Sequence, residues 1–213
     1  QARGDAGRGA IALLAAAVAA GLFAWGELLW SQATIAEVYS LHALLVALLV
    51  ALIGCSMRRR PYLLAGLFGL ALAHHLTILL VVPALWPYAG AARRWLTARR
   101  ALCVGLCLVP GLASYAYIPL RAGAQPVPDW GGAASLPGLA WLVTGVAYRR
   151  YLGAVLPAHL VQRLSAWAGI WVRDLGMVGL GLALLGLERG FRRDRRFSGF
   201  GLTYVLATST YAL

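Results

Sequence analysis

Hydrophobic residues in this chain form long runs that arginine clusters interrupt. A helix needs about 20 apolar residues to cross the hydrocarbon core of a bilayer, and residues 10–30 form an apolar run of that length. The pattern predicts an all-α integral membrane protein, a multi-pass helical bundle in which residues 1–213 form a single transmembrane domain. The predicted spans cover residues 10–30, 43–57, 62–73 with 76–89, 101–120, 175–187 and 197–213.

Residues 61–92 form an apolar stretch with arginines at both ends. As one helix, the stretch would be about 45 Å long, and its two ends would lie on opposite sides of the membrane. Arginine clusters mark the cytoplasmic ends of spans, so an even number of crossings is required. Two short arms, 62–73 and 76–89, meeting at His74 and His75, satisfy this rule as a hairpin or a re-entrant pair of tilted half-helices.

A long segment, residues 121–172, is rich in proline and glycine and is predicted to be an outer loop. Loops of this length are usually functional. Apolar residues at helical spacing between 136 and 152, bordered by Arg149 and Arg150, predict a helix lying in the membrane interface. A second such helix, 158–172, is expected to run into the span at 175–187.

Composition and charge support the membrane assignment. Hydrophobic residues make up 61% of the chain and charged residues 12%, and the mean hydropathy is +0.74, which excludes a soluble enzyme and a disordered chain. The net charge is +12, and all 19 basic residues are arginine. The clusters place 14 arginines and three acids (net +11) inside the cell, and five arginines and four acids (net +1) outside. The charge follows membrane topology, which excludes a nucleic-acid-binding face.

His74 and His75 are the strongest candidates for chemistry, because about a dozen apolar residues flank them on each side. Ionisable residues in such surroundings usually mark a site. Neighbours on an unbroken helix point about 100° apart, so only one of the two would face a given ligand. Two interpretations stay open: one histidine lines a polar cavity, or the pair caps a helix terminus. Cys55, Cys103 and Cys107 fall inside predicted spans without a CxxC motif, so no metal site is predicted.

Glu37 and Arg121 lie at predicted outer boundaries. Glu37 is either an acid beside a cavity that binds a sugar hydroxyl or an acceptor, or a solvated loop charge. Arg121 follows a predicted span at the depth of lipid phosphates, where arginine either binds phosphate or extends from a helix end towards the interface.

Five segments of the chain, in order, resemble the motifs of the bacterial protein O-mannosyltransferase-like membrane family, which has a vertebrate counterpart that mannosylates receptor ectodomains. These segments are residues 30–33, 37–42, 69–77, 117–121 and 129–131. The resemblance implies the C-type glycosyltransferase fold in a bacterial inner membrane, with an active site that opens to the outside. It also implies a sugar donor carried on polyprenyl phosphate.

The family's acidic first outer loop and its His-Pro-Pro-Gly-like motif are not found in the sequence. We therefore expect the chain to be an internal fragment that lacks the first helix and the first outer loop of the family. The main catalytic base would lie in that loop, so Glu37 is only a secondary candidate for the base.

The leading hypothesis is inverting transfer of a hexose, mannose by the resemblance, to a hydroxyl of an exported protein or glycan. The expected partners are membrane lipid, the lipid-linked sugar and the acceptor, with no nucleic acid, no metal ligands and no cofactor beyond the donor. A transporter or flippase for an anionic or lipid-linked substrate and a non-catalytic assembly subunit are the alternatives. The predicted substrate-binding residues are Tyr39, His74, His75, Arg121, Asp129, Trp130, Arg149 and Arg150.

Overall fold

The structure, a computed structural model, describes residues 2–35, 38–55, 57, 59–127, 131–151 and 157–212. Every regular element in these ranges is helical, which confirms the all-α prediction. The α-helices are α1 (Ala2–Ala24), α2 (Glu27–Ala33), α3 (Tyr39–Gly54), α4 (Arg60–His74), α5 (Val81–Ala84), α6 (Ala89–Trp95), α7 (Ala98–Leu112), α8 (Tyr117–Gly123), α9 (Leu136–Val143), α10 (Pro157–Arg193) and α11 (Arg195–Ala212). Short 3₁₀ helices cover Leu76–Leu80, Trp86–Tyr88, Ala113–Ala116 and Val146–Tyr151.

Among the residues that the structure describes, two helical stretches are long and apolar enough to cross a membrane. They are Ala98–Gly123, with 26 residues, and Ala158–Arg193, with 36 residues. Two bent pairs also qualify if each counts as one span: Gly9–Ala24 with Glu27–Ala33, bent by 56°, and Leu76–Ala84 with Trp86–Trp95, bent by 47°. The described part of the chain is therefore consistent with an integral membrane protein of two to four spans.

The break between α1 and α2 falls inside the predicted span 10–30, and it meets a kink in α10. Gly26, in an extended conformation, starts α2 without a side-chain cap of its own. Asp174 Oδ1 of α10 accepts a hydrogen bond from the Leu28 N–H at 3.3 Å. The α10 kink is at Gly176, whose φ of +64° favours glycine. A residue of α10 thus supplies the missing cap of α2.

Helices α4 and α7 cross at very close range. A Cβ atom on Gly111 would lie 2.2 Å from the carbonyl carbon of Gly69, and one on Gly69 would lie 2.6 Å from the carbonyl oxygen of Leu108. Only glycine fits this crossing, because any side chain would overlap the opposite backbone. Small residues at helix crossings let backbones approach in this way in membrane proteins.

The core of the bundle is formed by α3, α4, α5 and α11, together with the 3₁₀ helix Leu76–Leu80. Phe200 of α11 is 1% exposed, and its ring stacks on Tyr204 with centroids 6.2 Å apart. The buried residues that form the core are Leu45, Leu49, Ile53, Ala71, Ile78, Val81, Ala84 and Phe200. This core fixes the position of α3 beside α4, and the two helices carry the polar side chains described below.

Arg60 closes one end of α3. Its Nη1 donates hydrogen bonds to the carbonyl oxygens of Ile53, at 3.1 Å, and Cys55, at 2.9 Å. The guanidinium also lies 6.0 Å from the ring centroid of Tyr88. A cation at a helix C-terminus satisfies carbonyls that have no partner within the helix.

The start of α4 and the end of α6 lie side by side. The rings of Tyr62 and Trp95 are 5.8 Å apart, and the guanidinium of Arg100 lies 5.1 Å from the Trp95 ring centroid. We call Arg60, Tyr62, Tyr88, Trp95 and Arg100 the arginine end of the bundle. The segment from residue 60 to residue 95 therefore leaves this end and returns to it.

Candidate functional site

The chain breaks sharply at His75, at the end of α4. His75 has extended backbone angles, φ −155° and ψ 130°, and its N–H still donates to the Ala71 carbonyl at 2.9 Å. Its side-chain Nδ1 then accepts a hydrogen bond from the Thr77 N–H at 3.3 Å. The imidazole thereby caps the 3₁₀ helix Leu76–Leu80 while the backbone turns away from α4.

Three imidazoles meet at this break. The ring of His42, from the first turns of α3, lies 5.1 Å from the ring of His75 and 6.5 Å from that of His74. The ring of Tyr39, one turn before His42, lies 6.2 Å from the His75 ring. We call Tyr39, His42, His74, His75 and Thr77 the histidine cluster. Because α4 ends at His74, the 100° separation of neighbours on a helix does not keep the two adjacent histidines apart.

Hydrogen bonds connect the members of the cluster. Nε2 of His74 donates to the Val38 carbonyl oxygen at 2.9 Å. The Thr77 hydroxyl lies 2.7 Å from Nδ1 of His75 and 3.1 Å from Nε2 of His42. Nδ1 of His42 is buried and has no hydrogen-bond partner among the residues that the structure describes. A buried polar atom without a partner is costly and is often found where a ligand or water completes the site.

The arrangement is suited to hydrogen bonding with a polar ligand. Within the described ranges, no group of three or more His, Cys, Asp or Glu side chains has the geometry to hold a metal ion. Neutral imidazoles offer one donor and one acceptor each, and a tyrosine hydroxyl offers both. Such groups can bind sugar hydroxyls or phosphate oxygens.

The proline- and glycine-rich segment approaches Leu76 through a turn at Gly145. This glycine has a φ of +62°, and a Cβ atom on it would lie 3.1 Å from Cδ1 of Leu76, the residue that follows His75. Arg149 and Arg150 follow directly in the 3₁₀ helix Val146–Tyr151, and both are exposed. The segment that carries these two arginines therefore begins beside Leu76, the residue that follows His75.

Arg121 lies in the last turn of α8 and is exposed. The preceding 3₁₀ helix is attached to the end of α4, because the Tyr115 hydroxyl donates to the Leu72 carbonyl at 2.7 Å. The contacts that the structure describes for the histidine cluster do not include Arg121 itself. Glu37, Asp129 and Trp130 lie outside the described residues.

Of the predicted site residues, the structure brings Tyr39, His74 and His75 into one cluster. It also adds two residues that the sequence analysis did not select, His42 and Thr77. Both lie in the segments 37–42 and 69–77 that carry the family resemblance. The signal in the sequence that points to His42 and Thr77 is that they are the last residues of these two segments.

A comparison with known protein families gives a match for the first part of the chain. Residues 2–98 match the family model described as the N-terminal domain of the protein O-mannosyl-transferase TMEM260. Neither a curated protein nor a solved structure matches the chain. The matched range extends from α1 through α6, contains the complete histidine cluster and ends before Arg121. The part of the chain that carries the cluster is therefore similar to the N-terminal domain of a protein O-mannosyltransferase.

Proposed function

We propose that this protein is a membrane glycosyltransferase of the C-type fold. It would move a hexose, mannose in view of the family match, from polyprenyl phosphate to a hydroxyl of an exported protein or glycan. The observation that carries the proposal is that a partly unsatisfied polar cluster lies inside the range matched by the O-mannosyltransferase domain.

The position of the cluster supports an active site on the outer side of the membrane. Helix α4 runs from Arg60, at the arginine end, to His74 in the cluster, and its 15 residues span about 22 Å. Arginine clusters favour the cytoplasmic side. The histidine cluster then lies towards the opposite face, where a lipid-linked sugar and an exported acceptor are both accessible.

Inverting transfer requires a base and a group that stabilises the leaving phosphate. The acceptor hydroxyl oxygen bonds to the anomeric carbon, the bond from that carbon to the phosphate oxygen breaks, and polyprenyl phosphate leaves. The hydroxyl proton passes to a carboxylate. Glu37 is the secondary candidate for that carboxylate, and the main base is expected in the family's first outer loop.

The remaining site residues divide between sugar and phosphate. Arginine binds phosphate through paired hydrogen bonds, so Arg121, Arg149 and Arg150 are assigned to the phosphate. The proximity of Gly145 to Leu76 supports this role for Arg149 and Arg150, because their segment begins there. Tyr39, Asp129, Trp130 and one of the two adjacent histidines, His74 or His75, are assigned to the sugar and acceptor pocket, and the other histidine is available to the phosphate.

Donor binding tests this proposal directly. The purified chain in detergent micelles should bind polyprenyl-phosphate mannose more tightly than polyprenol without phosphate, as measured by native mass spectrometry. His75→Gln and Arg121→Gln should each weaken donor binding about tenfold, because a hydrogen bond to a charged group contributes about 1.5–3 kcal/mol. His159→Gln, a change in exposed α10, is the matched control and should leave binding unchanged.

Two results would contradict the proposal. The first is equal affinity for the phosphorylated and the unphosphorylated lipid. The second is movement of a labelled lipid-linked sugar across vesicles by the reconstituted protein, with no transfer of the sugar when the acceptor is supplied. That second result would favour a flippase.

A further inference from the structure

The Thr77 hydroxyl bridges two imidazoles in the histidine cluster. Its oxygen lies 2.7 Å from Nδ1 of His75 and 3.1 Å from Nε2 of His42. A hydroxyl has a single hydrogen to donate, although it can accept from more than one group. Thr77 can therefore donate to at most one of these nitrogens and must accept from at least one of them.

The backbone N–H of Thr77 determines which groups donate and which accept in these two hydrogen bonds. Its N–H, which can only donate, points at Nδ1 of His75 at 3.3 Å. Nδ1 must then present its lone pair, so the neutral His75 ring carries its proton on Nε2. The Thr77 hydroxyl accordingly donates to the same Nδ1 and accepts from the Nε2–H of His42. The hydrogen bonds run in one direction, from His42 through Thr77 to His75.

The two neighbouring histidines differ in what they can still bind. His74 already donates its Nε2–H to the Val38 carbonyl oxygen at 2.9 Å. Nε2 of His75 makes no hydrogen bond to any residue that the structure describes, and the side chain is only partly buried. Of the two adjacent histidines, His75 is therefore the one with a donor available for a ligand.

We infer that Thr77 is a positioning residue that holds His75 with its proton on Nε2, so that this N–H donates to a phosphate oxygen of the lipid-linked sugar. The inference rests on the proposed function for the identity of the ligand. A His75 ring with the proton on Nδ1 would instead present a lone pair to the anionic oxygen, and the two would repel. Thr77 thus prepares the site for an anion, because it removes the unfavourable tautomer before the ligand arrives.

The tautomer of His75 can be measured by a method that does not require enzymatic activity. The whole chain, labelled with ¹⁵N-histidine and reconstituted in nanodiscs, should give ¹⁵N NMR signals from His75 with the proton on Nε2. The variant His75→Gln assigns the signals. Thr77→Val, which keeps the shape and the backbone N–H but removes the hydroxyl donor, should shift His75 part of the way towards a mixture of tautomers, whereas Thr77→Ser should leave it unchanged. A His75 proton on Nδ1 in the unmodified chain, or no change in Thr77→Val, would overturn the positioning role.

Donor binding tests the second half of the inference. Thr77→Val should raise the Kd for polyprenyl-phosphate mannose about five- to tenfold, the loss expected for one hydrogen bond. Thr77→Ser should remain close to the unmodified chain, and the affinity for polyprenol without phosphate should be the same in all three. A tautomer shift without a change in donor Kd would overturn phosphate as the ligand of His75. Failure of the unmodified chain to bind the donor would contradict the proposed function, while the tautomer measurement would still decide the role of Thr77.

Discussion

The arginine end and the histidine cluster use polar side chains in opposite ways. At the arginine end, guanidinium groups donate to backbone carbonyls: Arg60 to Ile53 and Cys55, and Arg100 to Trp95 at 2.8 Å. In the histidine cluster, the side chains of His42, Thr77 and His75 pair with one another, and Nδ1 of His42 has no partner among the described residues.

The difference separates structural polar groups from those available for binding. An arginine that donates to carbonyls at a helix end stabilises the fold, and those donors are not available to a ligand. A cluster with an unsatisfied buried nitrogen reduces stability and is retained where binding restores the missing bond. Substitutions at the arginine end should therefore affect stability, and substitutions in the histidine cluster should affect ligand binding.

The largest effect is expected where α7 crosses α4, the helix that runs from the arginine end to the histidine cluster. Gly111→Ala should abolish most of the folded protein, because its Cβ would lie 2.2 Å from the Gly69 backbone. Overpacking of this kind costs about 1–3 kcal/mol and sometimes more. Fluorescence-detected size-exclusion chromatography would measure the monodisperse fraction. Gly105→Ala, on the same helix with open space around it, is the control, and equal losses in the two variants would contradict the close crossing.

The next effect is expected at the arginine end. Arg60→Gln should lower the free energy of unfolding by about 2 kcal/mol, because two carbonyls at the end of α3 lose a charged donor. Donor affinity should not change. Thermal unfolding in detergent measures the stability loss, with the exposed neighbour Arg59→Gln as the control. A variant as stable as the unmodified chain but impaired in donor binding would place Arg60 in the functional site and remove the distinction between the two regions.

A smaller effect with the opposite pattern is expected for His42→Phe. Donor affinity should fall about fivefold, because the substitution removes the His42 imidazole that donates to Thr77, and Thr77 in turn positions His75. The melting temperature should stay the same or rise, because the substitution removes the unsatisfied buried nitrogen. Parallel measurements of donor Kd and thermal unfolding would show this. A marked drop in stability with normal donor binding would mean that the cluster is structural, like the arginine end.

The smallest effect is expected at the junction of α2 and α10, which lies outside both regions. Asp174→Ala should cost about 1 kcal/mol of stability, because the Leu28 N–H loses its acceptor. Glu27→Gln should cost less than that, since the Glu27–Arg173 pair, 3.4 Å apart, is largely exposed. Neither change should alter donor affinity. A larger loss for Glu27→Gln than for Asp174→Ala would show that the exposed ion pair, and not the cap, holds the junction.

Sequence patterns were sufficient for features that depend on neighbours along the chain. The apolar runs indicate an all-helical membrane protein because their length must match the bilayer. The histidine pair between two apolar arms indicates a site near residues 74 and 75, and the structure ends α4 at His74. The same patterns placed Arg121 in the site by its position at a span end, whereas the described contacts of the cluster do not include it.

The sequence by itself thus indicated that the protein folds in a membrane. It also placed the arginines at the ends of the apolar runs and the two adjacent histidines between two apolar arms. The tertiary structure alone decided that His42, more than 30 residues earlier, meets His75 through Thr77. The physical reason is that hydropathy and helical period describe one helix at a time. Which faces of two helices meet depends on the packed core of α3, α4, α5 and α11 and on the glycine crossing of α4 with α7, and neither follows from the period of a single helix.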